Sequence, residues 1–313
     1  MKYFVTGGAG FIGSHIVDKL ISLKKKVIVY DNFSTGKMIF IKHHLKNPNF
    51  KLVKADIRDK KLLNESMRLA DFVFHLSAHA DVPSGFNDHD IDHRENLEMT
   101  QNVLEAMYKN KVRKIAFAST SSVYGDATVH PTPENHPFRP TSLYGATKAA
   151  CESYISSYGS YYDMTSYIFR FVSFIGERYT HGIIFDVLAK LKKNNKRLEL
   201  LSDGTPKKSS IYIKDGVEAI FTVISKAKKR FNVYNIGHEK VLTVSEIVDI
   251  ILKSAKYHNV KKIWLGRESN WKGDNKFVQL SISKLKKLGW KPETTVEYGI
   301  NRTVGYLLSN QII

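Results

Sequence analysis

The chain has 313 residues, of which 42% are hydrophobic and 25% are charged, and its formal net charge at pH 7 is +18. No uninterrupted apolar run approaches the roughly 18 residues of a membrane-spanning helix, and the first predicted strand begins at the N-terminus, so we expect neither a membrane partner nor a signal peptide. Cys151 is the single cysteine, which excludes an internal disulfide bond and is typical of a reducing, cytoplasmic location.

The positive charge is spread along the sequence in short lysine-rich runs, at 24–26, 190–197, 226–230 and 284–287. No aromatic platform interleaves with these runs, so we interpret them as solvated surface that can steer an anionic substrate, and we expect no nucleic-acid partner. Among the 12 histidines, His43-His44 and the pair His75 and His79 lack a third ligand at a typical metal spacing, so we predict no metal site.

A glycine-rich turn follows the first predicted strand, residues 2–6. The segment Thr6-Gly7-Gly8-Ala9-Gly10-Phe11-Ile12-Gly13 leads into a predicted helix over 11–24. Glycines at 7, 10 and 13 let the backbone bend and approach a pyrophosphate held at the helix N-terminus. The second strand, 27–31, ends at Asp31, about where an acid meets an adenosine ribose 2′-hydroxyl and repels a 2′-phosphate. The sequence therefore predicts a site for NAD rather than NADP.

Strands and helices are predicted to alternate through the rest of the first half. This alternation is typical of an α/β fold with a doubly wound parallel sheet, in which ligands collect at the carboxyl ends of the strands. The further strands are expected at 51–54, 72–76, 113–118 and 165–170, and the helices at 60–67, 92–110 and 144–161.

Tyr144 and Lys148 lie four residues apart on the predicted helix 144–161, so both project from one face. We expect the ammonium group of Lys148 to lower the pKa of the Tyr144 phenol, which would then serve as a general base. The preceding hydroxyl residues, Ser119, Thr120, Ser121 and Ser122, cannot be told apart by their pattern alone.

The second half of the chain has a different pattern. Helices are predicted at 183–194, 215–227 and 244–256, a short strand at 211–213 and a short basic helix at 281–290. We expect residues 1–170, together with about 209–237, to form the NAD-binding domain. Residues 171–208 and 238–313 would form a smaller substrate-binding lobe.

The G-x-x-G-x-x-G turn and the Tyr-x-x-x-Lys pair resemble the extended short-chain dehydrogenase/reductases, which have a Rossmann fold. Further segments resemble the NAD-dependent epimerase/dehydratase family within that group, and most of all its UDP-glucose 4-epimerases. These segments are Asp31-Asn32-Phe33-Ser34-Thr35-Gly36, Asp56-Ile57, His75-Leu76-Ser77-Ala78-His79-Ala80, the run 118–125 that ends in Val123-Tyr124-Gly125, and Asn235-Ile236-Gly237.

The resemblance implies Thr120, Tyr144 and Lys148 as catalytic residues, and a tightly held NAD. The implied cofactor contacts are Gly7, Gly10, Phe11, Ile12, Gly13, Asp31, Asn32, Ser34, Thr35, Gly36, Asp56, Ile57, Leu76, Ala78, Ala80, Asn96, Tyr144, Lys148 and Phe171. The implied substrate contacts are Thr120, Ser173, Lys208, Lys272, Asp274 and Val278.

The implied reaction is 4-epimerisation of a UDP-linked sugar, UDP-glucose or UDP-galactose, through a 4-keto intermediate. Ser121 and Ser122 stand where sister dehydratases and decarboxylases carry acids, which disfavours those reactions. Epimerisation of a UDP-N-acetylhexosamine or of UDP-glucuronate, another reductase or dehydratase reaction of this fold, and a non-catalytic NAD-binding role remain alternatives. The resemblance also implies a homodimer built on the helices 92–110 and 144–161. The residues expected to contact the partner are Leu97, Val103, Leu104, Met107, Ala149, Ala150, Tyr154 and Ile155.

Overall fold

Seven parallel strands form the main sheet, in the order β10-β6-β5-β4-β1-β2-β3. The computed structural model describes residues 1–266, 275–310 and 312. The strands of this sheet are β1 (Lys2–Thr6), β2 (Lys26–Asp31), β3 (Phe50–Lys54), β4 (Phe72–His75), β5 (Lys114–Thr120), β6 (Thr165–Phe171) and β10 (Phe231–Ile236).

The helices are α1 (Phe11–Ser22), α2 (Lys60–Ser66), α3 (Met99–Lys109), α4 (Leu143–Tyr162), α5 (Ile183–Lys193), α6 (Ile213–Lys226), α7 (Val244–Ser254), α8 (Ser283–Lys286) and α9 (Val296–Ser309).

Two hydrophobic clusters cover the opposite faces of the main sheet. Successive side chains of a strand point to opposite faces, and accordingly Phe4 belongs to one cluster and Val5 to the other. Helix α3 contacts both α2 and α4 on one face, while α1 contacts α6 on the other. A sheet buried on both faces explains why its strands are nearly continuous apolar runs.

The second half adds two small sheets. Strand β9 (Lys207–Tyr212) pairs with β11 (Val241–Thr243) in antiparallel fashion, and with β7 (Ser173–Ile175) and β13 (Phe277–Val278) in parallel fashion. Strand β8 (Arg197–Leu200) pairs with β12 (Lys261–Trp264). The division into domains at the predicted boundaries remains a proposal. The segment 209–237, expected in the NAD-binding domain, contributes β10 to the main sheet, but it also includes part of β9, which lies in a different sheet.

The predicted doubly wound sheet is confirmed, and the ends of its six predicted strands lie within two residues of those observed. The helix expected at 92–110 begins as a π-helical segment, His93–Glu98, before α3. The helix expected at 281–290 is only the single turn α8, because the chain turns at Gly289, whose φ is +82°. No helix among the described residues is long and apolar enough to cross a membrane.

Candidate active site

The glycine turn between β1 and α1 is packed too tightly for any side chain at two of its positions. Gly7 has a φ of +66°, and a Cβ on it would lie 2.8 Å from the backbone nitrogen of Ser77, just after β4. A Cβ on Gly13 would lie 2.0 Å from the carbonyl oxygen of Gly7. The first turn of α1 therefore sits directly against the end of β1, as a cradle for a pyrophosphate requires.

Asp31, at the end of β2, fixes this turn as well as being the expected ribose ligand. Its Oδ2 accepts a hydrogen bond from the Ala9 amide at 2.8 Å, and its Oδ1 accepts one from the Phe33 amide at 2.8 Å. Burial raises the pKa of the carboxyl group, and these two amides oppose that rise. Each oxygen retains a second lone pair, so the carboxylate can also accept a ribose hydroxyl. These residues fit a dinucleotide without a 2′-phosphate.

The segment after β2 lies beside the glycine turn. The Lys37 amide donates to the carbonyl of Ala9 at 2.9 Å, which places the exposed Ser34 and Thr35 next to that turn. A Cβ on Gly36 would lie 2.8 Å from Oδ1 of Asp31, so this residue must be small. The expected cofactor contacts of this segment thus lie together.

Asp56, after β3, is already engaged by the protein. Asn32 donates to its Oδ2 at 3.0 Å and Arg58 to the same atom at 2.7 Å. The hydrogen bonds from Arg58 hold the pKa of Asp56 well below its usual range. Ile57 is buried in a core cluster. The adenine contacts expected of Asp56 and Ile57 remain predictions.

His75, at the end of β4, connects this strand to β1 and α3 and does not take part in acid–base chemistry. Its ring nitrogens lie 2.8 Å from Oγ1 of Thr6 and 3.1 Å from Oγ1 of Thr100. Burial, and then the charge of Lys148, lower the pKa of His75 to about 3, so the ring is neutral. The segment that follows, with Leu76, Ala78 and Ala80, leaves the sheet edge beside Gly7.

Asn96, expected to contact the cofactor, anchors the loop that follows β4. Its Oδ1 accepts from the His79 amide at 2.9 Å, and its Nδ2 donates to Oδ1 of Asp92 at 3.2 Å. The ring of His79 lies 3.0 Å from Oδ1 of Asp92 and, at its other nitrogen, 3.0 Å from Oγ of Ser84. Sequence analysis missed this network, because no local motif relates residues 79, 84 and 92.

Thr120 and Tyr144 meet at the carboxyl edge of the sheet. Thr120 is the last residue of β5, and its side chain lies close enough to Tyr144 to lower the pKa of the phenol. Ser119 points away, because its Oγ donates to buried Glu152 at 2.5 Å. The structure thus separates two hydroxyls that the sequence pattern could not distinguish.

The expectation that Lys148 lowers the pKa of Tyr144 is wrong for the protein without its cofactor. Burial raises the pKa of Tyr144 to about 12, the hydrogen bond with Thr120 opposes that rise, and the charge of Asp92 adds to it. The Lys148 ammonium lies 4.1 Å from the centre of the Phe117 ring, and burial lowers its pKa to about 8. Tyr144 is therefore a neutral phenol at pH 7.

A buried polar network holds α4 against β5 and β6. Arg170 donates to Oε2 of Glu152 at 2.7 Å and to the hydroxyl of Tyr124 at 2.7 Å, and both charged side chains are almost fully buried. Tyr124 in turn donates to Oδ1 of Asn235 at 2.8 Å. Because α4 carries Tyr144 and Lys148, this network positions them relative to Thr120.

Apart from Thr120 at the end of β5, the expected substrate residues that the structure describes lie on or beside β9. Ser173 pairs with Ser210, and Val278 pairs with Lys208, so Ser173 and Val278 flank the same strand. Phe171 pairs with Thr120 across β5 and β6, which places Ser173 two positions beyond the level of Thr120. Phe171 itself packs on Phe174, at 4.7 Å between ring centres. The expected contacts Lys272 and Asp274 lie outside the described residues.

Similar proteins match almost the whole length of this chain. A putative UDP-glucose 4-epimerase of Methanocaldococcus jannaschii is 36% identical over 313 residues, which is 98% of this chain and 98% of that protein. The expected relationship to nucleotide-sugar epimerases is confirmed at the level of the family.

Solved structures agree with this relationship. The UDP-glucose 4-epimerase of Thermotoga maritima with UDP-glucose is 30% identical, with a TM-score of 0.89 over 99% of this chain and 100% of that one. The UDP-N-acetylglucosamine 4-epimerase of Methanobrevibacter ruminantium is 30% identical, with a TM-score of 0.88 over 99% and 98%. The UDP-glucuronic acid 4-epimerase of Bacillus cereus, with UDP-glucuronic acid and NAD, is 28% identical, with a TM-score of 0.91 over 99% and 100%.

Residues 3–237 match the sequence profile of the NAD-dependent epimerase/dehydratase family, and they include the glycine turn, Asp31, Thr120, Tyr144 and Lys148. The chain belongs to this family, and its cofactor is NAD.

Proposed function

We propose that this protein interconverts UDP-glucose and UDP-galactose by oxidising and then reducing carbon 4 of the sugar. The observation that carries this proposal is the proximity of Thr120 and Tyr144 at the carboxyl edge of the sheet, with Lys148 one turn along the same helix. The glycine turn that cradles the pyrophosphate ends at the same edge of the sheet.

Each residue has a defined part in the proposed reaction. Tyr144 takes the proton of the 4-hydroxyl, and Thr120 holds that oxygen and relays the proton. NAD, held by the glycine turn and Asp31, would supply the acceptor and donor of the hydride at carbon 4. The 4-keto sugar presents its other face in between, so that the hydride comes back with inverted configuration. Lys148, buried against Phe117, contributes positive charge to the site.

The acidity of Tyr144 determines how the rate of the proposed reaction depends on pH. The phenol, with its pKa raised to about 12, is protonated in the cofactor-free protein at neutral pH. A base must lose that proton before it can accept one from the substrate, so the rate of oxidation rises with pH until the phenolate is fully formed. The positive charge of oxidised NAD, when bound, would favour the phenolate.

Residues after Thr120 favour epimerisation over elimination. Ser121 and Ser122 carry no acid or base of the strength that loss of the 6-hydroxyl as water requires, and Ser122 is occupied as a hydrogen-bond partner of Thr120 at 3.2 Å. A 4-keto sugar formed here is therefore returned to the alcohol rather than dehydrated.

The width of the sugar pocket determines whether the protein accepts UDP-N-acetylglucosamine as well as UDP-glucose. Val278, on β13 beside Lys208, is the residue that we propose faces the substituent at carbon 2. A tyrosine at this position would fill the space beside carbon 2, whereas the much smaller valine leaves it open. A pocket of that width would also admit UDP-N-acetylglucosamine. The UDP-N-acetylglucosamine 4-epimerase of similar structure keeps that alternative open.

A substrate panel tests the proposal. Purified protein is given UDP-glucose, UDP-N-acetylglucosamine, UDP-glucuronate and dTDP-glucose without added NAD, and the nucleotide sugars are separated by chromatography. We expect UDP-galactose from UDP-glucose. Turnover of UDP-glucuronate or dTDP-glucose alone would overturn the proposed substrate, and no turnover of any sugar by NAD-loaded protein would overturn the proposed activity.

Two tyrosine variants make the panel specific for the site. Tyr144→Phe removes the proton acceptor, and we expect kcat to fall by about 10²–10⁴-fold. Tyr154→Phe removes a hydroxyl from an exposed position of the same helix and should leave kcat unchanged. Near-normal turnover by Tyr144→Phe would contradict the mechanism.

The Val278→Tyr variant tests the pocket. We expect it to lower kcat/KM for UDP-N-acetylglucosamine far more than kcat/KM for UDP-glucose, because the added ring fills the space of the acetamido group. An unchanged ratio would show that residue 278 does not face carbon 2.

A further inference from the structure

The structure gathers two histidines and an aspartate from distant parts of the sequence at one point of the surface. Asp18 lies on α1, and His43 and His44 form a short 3-10 turn between β2 and β3. Nε2 of His44 lies 2.6 Å from Oδ1 of Asp18, and Nε2 of His43 lies 3.0 Å from the same oxygen. The sequence spacing of the histidines shows no third ligand, because Asp18 is brought to them only by the packing of α1.

We propose that Asp18, His43 and His44 form a binding site for a divalent transition-metal ion, best matched by Zn²⁺. The three potential ligand atoms all lie within 4.8 Å of one another. Two imidazole nitrogens and one carboxylate oxygen suit Zn²⁺, whereas Mg²⁺ and Ca²⁺ prefer all-oxygen sites. A water molecule would complete the tetrahedron on the solvent side.

Zinc binding requires the three ligand atoms to spread apart. Zinc bonds of about 2.0–2.1 Å place tetrahedral ligands roughly 3.3–3.4 Å apart, so the separation from the Asp18 oxygen must grow by a few tenths of an ångström for the His43 nitrogen and by about 0.7 Å for the His44 nitrogen. His43 can make this movement, because 47% of its side chain is exposed. His44 is only 11% exposed and packs on the ring of Phe50, at 5.7 Å between centres, so it is the more constrained of the two histidine ligands.

A second group orients the carboxylate. Arg178 donates from Nη2 to Oδ2 of Asp18 at 2.8 Å, which leaves Oδ1 turned toward the two histidines. Metal-bound carboxylates and imidazoles are commonly held by such outer partners. The Arg178 charge also keeps the carboxylate ionised, because it lowers the pKa of Asp18 against the effect of burial. The same charge reduces the attraction for a cation, so we expect a moderate rather than a very tight site.

A bound ion would connect α1 to the segment between β2 and β3. That segment also contains Asn32 and residues 34–36, the expected contacts of the cofactor. Binding would therefore stabilise the fold next to the NAD site without taking part in the reaction. The proposal does not depend on which sugar the protein uses.

The test measures binding of ZnCl₂ to chelator-treated, NAD-loaded protein that carries no histidine tag. We expect saturable binding of one ion per chain by calorimetry, and a Tm that rises with zinc concentration but not with MgCl₂. Cobalt(II) gives an independent readout, since low-coordinate cobalt absorbs visible light much more strongly than the hydrated ion.

Variants assign the binding to these residues. His43→Gln, at a half-exposed position, should weaken zinc binding by about tenfold or more, and His43→Gln/His44→Gln should abolish it. His93→Gln is the control, because His93 is a more exposed histidine at another place on the surface. No saturable binding to the wild type, or equal binding to the double variant, would overturn the proposal.

Discussion

Burial and two neighbours, Thr120 and Asp92, set the acidity of Tyr144 at the scale of single residues. Its burial disfavours the phenolate, the hydrogen bond with Thr120 favours it, and the negative charge of Asp92 disfavours it. Asp92 is fully buried and belongs to the network that includes His79 and Ser84. We therefore regard Asp92 as a positioning residue that also tunes the proton acceptor.

Asp92→Asn and Thr120→Val should shift the pH profile in opposite directions. Asparagine removes the charge but keeps an oxygen acceptor for Asn96, so the pKa of Tyr144 falls and the acidic limb of kcat moves to lower pH, by about one unit. Valine at 120 removes a hydrogen bond that favours the phenolate, so the same limb moves to higher pH. The measurement is kcat for UDP-glucose across pH.

The control for this pair is Asp90→Asn, which removes an exposed carboxylate from the same segment. Its profile should coincide with that of the wild type. If Asp92→Asn shifted the limb upward, or all three variants shifted it alike, the assignment of Asp92 and Thr120 to the acidity of Tyr144 would be wrong.

Sequence patterns predicted the residues that carry local motifs. Thr120, Tyr144 and Lys148 belong to recognisable segments, and the structure places Thr120 and Tyr144 in contact. The position of Lys148 over Phe117 and the approach of Asp92 to Tyr144 depend on how α4 packs on β5 and on the loop after β4, which no local spacing records.

Helix α4 is the element on which the site depends, and its buried ion pair fixes it to the sheet. Arg170 and Glu152 are 4% and 3% exposed, so each would be an uncompensated buried charge without the other. Arg170→Met should lower the free energy of unfolding by about 3–5 kcal/mol, since it leaves Glu152 buried without its partner. Urea unfolding followed by circular dichroism measures this change.

The exposed pair Arg197 and Glu199 on β8 provides the matched control. Their side chains are 57% and 52% exposed, so Arg197→Met should change the free energy of unfolding by less than about 1 kcal/mol. Equal effects of the two substitutions would show that the buried network does not hold α4.

The elements of the first half were predictable because each has a regular pattern of apolar residues and a clear end. Strands buried on both faces read as continuous apolar runs, and the helices between them are amphipathic. The second half was harder, because β7, β11 and β13 have only two or three residues and obtain their stability from pairing with β9. Helix α9 was also not predicted, although Thr295 caps its first turn.

At the scale of the whole molecule, the residues expected to form a dimer interface need correction. Val103, Leu104, Met107 and Ile155 are all buried in a core cluster of a single chain, because they face the sheet rather than a partner. Tyr154, also expected at the interface, is exposed, and Tyr108 and Tyr161 are exposed on the same two helices. A homodimer through these two helices remains our proposal, with this aromatic surface as its contact.

Light scattering at micromolar concentration tests the dimer. We expect a mass of about twice the 35.7 kDa of the chain, and we expect Tyr154→Glu to shift it toward the monomer. Tyr298→Glu is the control, because Tyr298 is equally exposed but lies on α9. A wild-type protein that scatters only as a 35.7 kDa species would rule the dimer out.

The central claim is that hydride leaves carbon 4 of UDP-glucose and returns to the same carbon. UDP-glucose carrying deuterium at carbon 4 tests it most directly, when incubated in ordinary water with the purified protein and no added NAD. We predict UDP-galactose that retains the deuterium at carbon 4, observed by NMR and mass spectrometry. Loss of the deuterium to solvent, or a 4-keto-6-deoxy sugar in place of UDP-galactose, would contradict the account.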